Sequence, residues 1–362
     1  MPIRCCDARH DVLPQNQFNA VNNRNASGKI LAPAGAGLSD WERMSNHNDT
    51  AEITPSGFLA SGTANCPAEL ITLATSSAPL PFVFARAIGT PTLLTAREAA
   101  VTGLAVPVLV GEPAQIRADA SEIGWDLRDV AIVPADGEED AIRVAIELFS
   151  IGRAAGLVKG QLHTDVFMGG IVRRESGIRT DKRMVHLFAM LPPSGGRPLF
   201  ISDAAVNVAP DITTRVEAAL NMAELARRLG RRRPKIAILS ATELVLPAMP
   251  SSADAAEIAE RATKLDPAAD YIGPLSFDLA VSPQAAAIKG ISNPVAGMAD
   301  ALVVPNIEAG NILFKSLVWC SGGLAAGLVL GGAVPIVLTS RSDPPAARLA
   351  SLALAAIAGR QF

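Results

Sequence analysis

From Cys66 onward, apolar runs of strand length alternate with amphipathic segments of helix length, and this alternation constrains the fold more than any other feature of the chain. PFVFAR (81–86) and VPVLVG (106–111) are typical of buried strands, and TPTLLTAREAAVTGL (90–104) between them is typical of a helix. Strands joined by helical crossovers predict an α/β fold with a doubly wound, largely parallel sheet. Further strand-like runs lie at 130–135, 155–160, 185–191, 197–203, 235–241, 301–306 and 334–339, and helical patterns at 113–124, 138–154, 164–174, 211–230 and 345–359.

Two segments depart from this pattern. Residues 1–66 contain eight asparagines and little periodicity, which predicts a divergent, partly disordered N-terminal extension. The most apolar stretch, GGLAAGLVLGGAVPIVL (322–338), is short and is interrupted by glycines and Pro335, so it is a poor membrane span. We interpret it as a buried helix, a glycine turn and a strand.

Length and charge restrict the class of protein. A chain of 362 residues favours two domains, and a net charge of −3 argues against a nucleic-acid partner. The arginines at 227, 228, 231, 232 and 233 end a predicted helix, where cations offset the helix dipole, and we interpret them as a solvated face. The four cysteines and four histidines show no disulfide or zinc spacing, and no signal peptide is apparent. We therefore predict a cytoplasmic protein without a metal or a membrane partner.

The segment PIVLTSRSDP (335–344) places polar side chains directly after a buried strand. In open α/β sheets, ligands bind beyond the carboxyl ends of strands. The guanidinium of Arg341 suits a phosphate because its planar fork donates two parallel hydrogen bonds. Ser340 and Asp343 flank that arginine. The alternative is a surface ion pair between Arg341 and Asp343 in a turn.

Two more segments carry polar groups at informative positions. Lys159 lies at the end of a strand-like run, and His163 and Thr164 lie at the start of the helix predicted next. The free backbone amides at a helix start favour an anion. Thr164 and the aspartate after it can cap this helix. The alternative is a capped helix with a satisfied histidine. Asn311 and Lys315 are four residues apart, so they share one face of a helix that is otherwise apolar. That face could simply be solvated.

Five motifs carry a resemblance to a known family. GPLSFDLAVSP (273–283), SNPVAGMADALVVPNIEAGNILFKSL (292–317) and VPIVLTSRSDP (334–344), in this order and spacing, resemble the phosphate acetyltransferase and phosphate butyryltransferase family. LVKGQLHTDVFMGGIVRR (157–174) and RPLFISDAAVNVAPD (197–211) resemble the form that is fused to an enoyl-CoA hydratase domain in bifunctional proteins. We expect no hydratase domain here, because residues 1–66 are too few to form one.

The resemblance covers roughly 67–362 and implies an acyltransferase (EC 2.3.1.-) that converts acyl-CoA and phosphate into acyl phosphate and coenzyme A. It implies small-molecule substrates, acyl-CoA and phosphate, no tightly bound cofactor, and a homodimer or higher homo-oligomer. The fold implied is two α/β domains around a cleft, similar to isocitrate and isopropylmalate dehydrogenases. Domain I would comprise 67–185 and 330–362, and domain II would comprise 186–329.

The resemblance also implies roles for individual residues. Ser340 and Arg341 match the family's Ser-Arg pair, so Arg341 is expected to bind phosphate and Ser340 to hydrogen-bond the phosphate or the carbonyl oxygen. Ala347 stands where the acetyltransferases have an aspartate, and we assign the base to Asp343 instead. Lys159, His163 and Thr164 are expected on the phosphate or coenzyme A side, and Asn311 and Lys315 are expected to face the cleft from domain II.

Three alternatives remain from the sequence. A dehydrogenase of the hydroxythreonine-phosphate type would need a cluster of His or Asp metal ligands. A phosphate acyltransferase that uses acyl carrier protein would need a basic docking patch, for which the arginines at 227–233 are the candidate. A non-catalytic coenzyme A-binding protein would fit the alanine at position 347.

Overall fold

The computed structural model describes residues 58–60, 62, 64–338 and 343–360. Their strands form one sheet in the order β3-β2-β1-β4-β11-β10-β5-β6-β9-β7-β8. The strands are β1 Leu80–Ala85, β2 Ala105–Gly111, β3 Ala131–Pro134, β4 Gly156–Lys159, β5 Val185–Leu191, β6 Leu199–Ser202, β7 Lys235–Leu239, β8 Asp270–Leu275, β9 Ala301–Val303, β10 Leu324–Leu330 and β11 Ile336–Val337.

Helices connect most of these strands. In the described part of the chain, no helix combines the length and apolar character that crossing a membrane requires. The helices are α1 Ala68–Ala74, α2 Thr90–Val101, α3 Pro113–Glu122, α4 Gly137–Ser150, α5 Thr164–Ile171, α6 Ile212–Arg228, α7 Pro250–Leu265, α8 Phe277–Val281, α9 Pro283–Ile288, α10 Ile307–Trp319 and α11 Pro345–Ala358.

The α/β class is confirmed, and the sheet of the described residues is mixed, with seven parallel and three antiparallel strand pairings. β3, β2, β1, β4 and β11 run parallel to one another, and so do β6, β9, β7 and β8. Between these two blocks, β10 and β5 pair antiparallel with each other and with their outer neighbours. Three antiparallel pairings lie between β4 and β9 in the strand order. These two strands therefore point in opposite directions, and the carboxyl end of β4 lies beside the amino end of the strands in the β9 block.

The interpretation of 322–338 as a buried helix followed by a strand is wrong in its first half. Leu324–Leu330 forms β10, which pairs with β5 over seven residues. A short apolar run between glycines has no periodicity that separates a buried strand from a buried helix. The close packing of β10 against β5 requires glycine at position 327, since a Cβ there would lie 2.8 Å from the Phe188 ring.

The final helix is buried along almost its whole length. Residues 347–357 of α11 are all buried, and most of them are Ala or Leu, as expected for a core with few aromatic side chains. The hydroxyl of Ser351 accepts a hydrogen bond from the backbone N–H of Gly327 at 2.9 Å, which ties α11 to β10. Small side chains on this helix let it lie close to the sheet.

The arginine cluster at the end of α6 is only partly a solvated face: Arg232 and Arg233 are exposed, whereas Arg227 and Arg228 bind neighbouring elements. Arg228 donates hydrogen bonds to the carbonyl oxygens of Ala358 at 3.0 Å and Arg360 at 2.7 Å, which would otherwise be unpaired at the end of α11. Arg227 pairs with Asp266, and Asp266 also accepts a hydrogen bond from Tyr271 at 2.8 Å. These contacts join α6 to α11 and to the start of β8. The run of arginines in the sequence therefore lies where α6 contacts α11 and β8.

Candidate functional site

A pocket of about 730 Å³ opens at the carboxyl ends of β1, β2 and β4. β1 is the central strand of these three, with β2 on one side and β4 on the other. The chain adds β2 and β3 on one side of β1 and then returns to place β4 on the other side. This reversal is a topological switch point, where ligands bind in open α/β sheets.

Lys159 is the last residue of β4 and lies on the pocket wall. It pairs with Ala85 of β1 and is only 8% exposed. Gly160 allows the chain to turn here, because a Cβ would lie within 2.5 Å of the Ala85 carbonyl oxygen. Lysine side chains are rarely this deeply buried, and Lys159 is thus an exception among surface-seeking residues. Its position at the switch point makes it a candidate anion ligand.

Arg86 follows β1 directly and lines the same pocket. Its φ of 51° is unusual for a residue with a long side chain. Three groups hold its guanidinium: Nε donates to Glu112 Oε1 at 3.1 Å, and Nη1 lies 3.2 Å from the Gln161 carbonyl oxygen and 3.4 Å from Glu138 Oε1. The carbonyl of Gln161, two residues after Lys159, brings the ends of β1 and β4 together.

Glu138 connects Arg86 to His163. The Nδ1 atom of His163 lies 2.9 Å from both carboxylate oxygens of Glu138, and the backbone N–H of His163 donates to Glu138 Oε2 at 2.9 Å. These contacts, the backbone hydrogen bond first among them, lower the pKa of Glu138 below its usual range. The side chain of His163 is 70% exposed and is not part of the pocket wall. His163 therefore contacts Glu138, a partner of Arg86, rather than the pocket itself.

The prediction that Thr164 and Asp165 cap α5 is wrong. The helix begins at Thr164, its N-cap residue is His163, and no side chain caps it. Thr164 is exposed and does not line the pocket. Among Lys159, His163 and Thr164, the structure therefore places only Lys159 directly in the pocket.

Asp119 and Arg348 complete the charged part of the wall. Asp119 is buried, and it accepts hydrogen bonds from the Gly89 backbone N–H at 2.7 Å and from Gln115 Nε2 at 2.6 Å. Gly89 precedes α2, so this aspartate fixes the start of that helix beside the pocket. Arg348 reaches the pocket from α11, is buried, and donates to the Pro91 carbonyl oxygen at 3.2 Å. Two buried cations, Lys159 and Arg348, thus share one pocket.

The family comparison agrees with a ligand site in this fold. A family model described as phosphate acetyl/butaryl transferase matches residues 135–356. The chain belongs to this family.

Curated and solved relatives of the phosphate acetyl/butaryl transferase family cover most of the chain. The phosphate acetyltransferase of Rhizobium meliloti is 42% identical over 289 residues, which are 80% of this chain and 92% of that protein. The phosphate butyryltransferase of Clostridium acetobutylicum is 35% identical over 268 residues, 74% of this chain and 89% of that protein. A branched-chain phosphotransacylase structure from Enterococcus faecalis V583 superimposes with a TM-score of 0.69 at 31% identity, covering 78% of this chain and all of that one.

The Ser-Arg pair of the phosphate acetyl/butaryl transferase motif, Ser340 and Arg341, lies outside the described residues. The strand before it is described: β11 runs parallel to β4, and Val337 pairs with Val158, the neighbour of Lys159. Asp343 is described and is half-buried.

Asn311 and Lys315 lie elsewhere. Their helix, α10, begins after β9, at the edge of the sheet opposite to the carboxyl end of β4. Asn311 donates to the Ala204 carbonyl oxygen at 3.3 Å, and Lys315 is exposed with its Nζ 6.0 Å from the centre of the Phe314 ring. A substrate-binding role for them stays a prediction, and it would require a surface other than this pocket.

Sequence reasoning missed four charged residues of the pocket wall, Arg86, Glu112, Asp119 and Arg348. A signal existed for two of them, because Arg86 ends the strand-like run 81–86 and Glu112 comes directly after the run 106–111. Asp119 and Arg348 lie inside helices, where a charged residue usually indicates a solvated face. Only the packing of α3 and α11 turns them towards the pocket.

The family-like stretch ISDAAVN (201–207) has a structural role in this chain. The carboxylate of Asp203 is buried and accepts hydrogen bonds from the backbone N–H groups of His186 and Ala205, both at 2.9 Å. It also accepts from Asn207 Nδ2 at 2.7 Å. The aspartate therefore fixes the turn after β6, and Ala204 at its centre is fully buried.

Proposed function

We propose that this chain is a phosphate acyltransferase that moves a short acyl group reversibly between coenzyme A and inorganic phosphate. The pocket at the ends of β1, β2 and β4 is the proposed reaction site. The observation that carries the proposal is the buried Lys159 at the switch point, together with buried Arg348 and next to the strand that leads to Ser340 and Arg341. Family membership supports the same reaction.

The proposed reaction begins with inorganic phosphate held by Arg341 and Lys159. A phosphate oxygen attacks the thioester carbonyl, so a C–O bond forms while the carbonyl oxygen becomes negative. Ser340 is proposed to donate a hydrogen bond to the phosphate or to that oxygen, as preorganised donors do in acyl transfer. The C–S bond then breaks, and coenzyme A leaves as a thiolate that takes up a proton. In reverse, Asp343 is the proposed base for the thiol, because the thiolate is the nucleophile.

The two-domain organisation is part of the proposal. Domain I (67–185 and 330–362) would hold the first block of parallel strands with β11, and domain II (186–329) the block β6, β9, β7 and β8. The proposed boundaries fall in β5 and β10, the two long antiparallel strands between the blocks. This division is the one expected for an arrangement similar to isocitrate and isopropylmalate dehydrogenases, with a cleft between the domains.

A homodimer or larger oligomer is also proposed. α10 is an apolar helix in which Gly310 is the one buried residue, while Ile312 and Trp319 are 67% and 64% exposed. Large exposed apolar side chains on one element are typical of an interaction surface. Sedimentation of the purified chain would test this, and a monomer at micromolar concentration would contradict it.

Thiol release tests the reaction. Purified protein is incubated with acetyl-CoA or butyryl-CoA and phosphate, and free thiol is measured. We expect thiol release that depends on phosphate and becomes continuous with arsenate, because acyl arsenates hydrolyse. Arg341→Gln should raise the KM for phosphate and lower turnover, whereas Arg128→Gln, a control at an exposed ion pair, should not.

One result would contradict the proposed acyl transfer. If no short acyl-CoA releases thiol and coenzyme A still binds, the chain is a non-catalytic coenzyme A-binding protein. The alternative with acyl carrier protein has no support from the α6 end, because Arg227, Arg228 and Arg233 are engaged in ion pairs there.

A further inference from the structure

The backbone at Arg86 has a conformation that glycine adopts more easily. Among the described residues, Arg86 is the one residue other than glycine with a positive φ, 51°. In this left-handed region the Cβ atom crowds the backbone, so a long side chain costs free energy that glycine would not. Strain of this kind persists where the surrounding structure requires the residue, and it is concentrated at functional sites. The contacts of the Arg86 side chain therefore have to offset the strain of its own backbone.

Arg86 binds the turn after β4 through both its backbone and its side chain. Its carbonyl oxygen accepts a hydrogen bond from the Gln161 backbone N–H at 2.9 Å, and its Nη1 donates to the Gln161 carbonyl oxygen at 3.2 Å. The residue between Lys159 and Gln161 is bound as well, because the Gly160 N–H donates to the Ala85 carbonyl oxygen at 2.9 Å. The two residues that follow Lys159 are thus held against the end of β1.

Two carboxylates hold the guanidinium in the orientation that reaches Gln161. Glu112, which follows β2, accepts from Nε at 3.1 Å, and Glu138, in the first turn of α4, lies 3.4 Å from Nη1. A planar guanidinium has donors in fixed directions and can bind several acceptors at once, whereas a lysine ammonium on a flexible stem would not keep this geometry. Arg86 therefore joins the ends of β1, β2 and β4 at the wall of the pocket.

We propose that Arg86 is a positioning residue for Lys159. By fixing the turn directly after Lys159, it holds the ammonium group of that buried lysine at the place in the pocket where phosphate binds. The guanidinium is engaged by Glu112, Glu138 and Gln161, so it acts on the anion through the lysine. A charge that is already held in place loses less conformational freedom on binding an anion than one that must be ordered first. The inference rests on the proposed function to the extent that phosphate is taken as the ligand of Lys159.

The experiment is a double-mutant cycle on the binding of inorganic phosphate to the full chain, measured by phosphorus NMR titration. Arg86→Gln should raise the Kd for phosphate by at least roughly tenfold, the range of one hydrogen bond to a charged group. In the Lys159→Met background the same substitution should raise the Kd by less than about threefold, because the lysine through which Arg86 acts is already missing. The remaining effect is that of two carboxylates without their cation. Equal factors in the two backgrounds overturn the proposal.

Two further variants separate positioning from a general structural role. Arg86→Gly removes the side chain and relieves the strain of the left-handed backbone, so the protein should stay folded and still bind phosphate as weakly as Arg86→Gln. Arg97→Gln is the matched control: Arg97 also donates to a backbone carbonyl oxygen, that of Ile123 at 2.6 Å, but it does not line the pocket. It should lower the thermal stability and leave the Kd for phosphate unchanged. Wild-type affinity in Arg86→Gly, or equal weakening in Arg97→Gln, overturns the proposal.

Arg86→Lys keeps the charge but not the planar fork, so phosphate binding should stay weaker than in the wild type by at least about threefold. Full recovery of the affinity would mean that the charge alone suffices, which also overturns the proposal. The same preparations are assayed for thiol release. Coupling between Arg86 and Lys159 without thiol release would reject the proposed acyl transfer and leave the role of Arg86 standing. Thiol release with independent effects of the two substitutions would do the reverse.

Discussion

Arginines meet carboxylates in two separate clusters of this protein, and the clusters differ in the surroundings that their charged groups contact. In the α6 cluster, formed by Arg227, Arg228 and Asp266 with their partners, the charged groups bind one another and the ends of helices. The pocket cluster, formed by Arg86, Glu112, Glu138 and His163, borders the pocket at the ends of β1, β2 and β4 through Arg86 and Glu112. A charged cluster that binds the ends of helices joins structural elements, whereas one that lines a pocket at the carboxyl ends of strands is placed to hold a ligand.

The largest effect is expected in the pocket cluster. Arg86→Gln removes the cation between Glu112 and Glu138, so one carboxylate on the pocket wall and one beside it lose their positive partner. We expect the KM for phosphate in the thiol-release assay to rise roughly tenfold to a hundredfold, because uncompensated charge near a binding site is costly. Arg143→Gln is the control, since Arg143 forms exposed ion pairs on α4. If the KM for phosphate changes as little in Arg86→Gln as in Arg143→Gln, the pocket cluster has no role in phosphate binding.

The second prediction concerns stability in the α6 cluster. Burial alone would raise the pKa of Asp266, but hydrogen bonds from Arg227 and Tyr271 outweigh it and hold that pKa below its usual range. Asp266→Asn should therefore lower the free energy of unfolding at pH 7 by about 1–2 kcal/mol, with turnover unchanged.

The pH dependence of this difference has a defined sign. A carboxyl group whose pKa is lowered by folding stabilises the protein above its unfolded pKa, near pH 4, and loses that contribution as pH falls through the folded pKa. The stability difference between wild type and Asp266→Asn should thus be constant from pH 7 to about pH 5 and shrink below pH 4. Thermal unfolding across this range measures it, and a difference that grows on acidification would contradict the assignment.

The α/β class and most element positions followed from local patterns. Helix α6 and strands β1 and β2 could be predicted because their apolar residues have the period of one element and are bounded by breakers. β8 was missed, because DYIGPL contains glycine and proline inside the strand. β10 was assigned to a helix because Leu324–Leu330 is apolar on both faces. Strand directions depend on pairings across the whole chain and leave no local signal.

The site was predictable only where a polar residue follows a strand. Lys159 could be found in this way, since it ends a short apolar run. His163 was expected to touch substrate, but its exposed ring binds Glu138 instead, a contact between residues 25 apart in sequence that no spacing rule indicates. Arg348 reaches the pocket from an apolar helix whose position is set by β10 and α1.

The smallest effect is expected from His163. In His163→Gln the backbone N–H of residue 163 still donates to Glu138, so Arg86 keeps its partner. We expect less than about a threefold change in the KM for phosphate, which is the range of a single exposed ion pair. Steady-state kinetics with phosphate as the varied substrate measures it. A tenfold or larger increase would mean that the imidazole contacts the substrate directly.

The central claim is that the pocket at the ends of β1, β2 and β4 holds the anion that attacks the thioester. The most direct measurement is the KM for phosphate of Lys159→Met, which removes the buried charge while keeping an unbranched apolar side chain. Lys264→Met is the control, because Lys264 is exposed and pairs only with Glu260 on α7. We predict an increase of at least about tenfold for Lys159→Met and none for Lys264→Met. A folded Lys159→Met protein with an unchanged KM for phosphate would contradict the account.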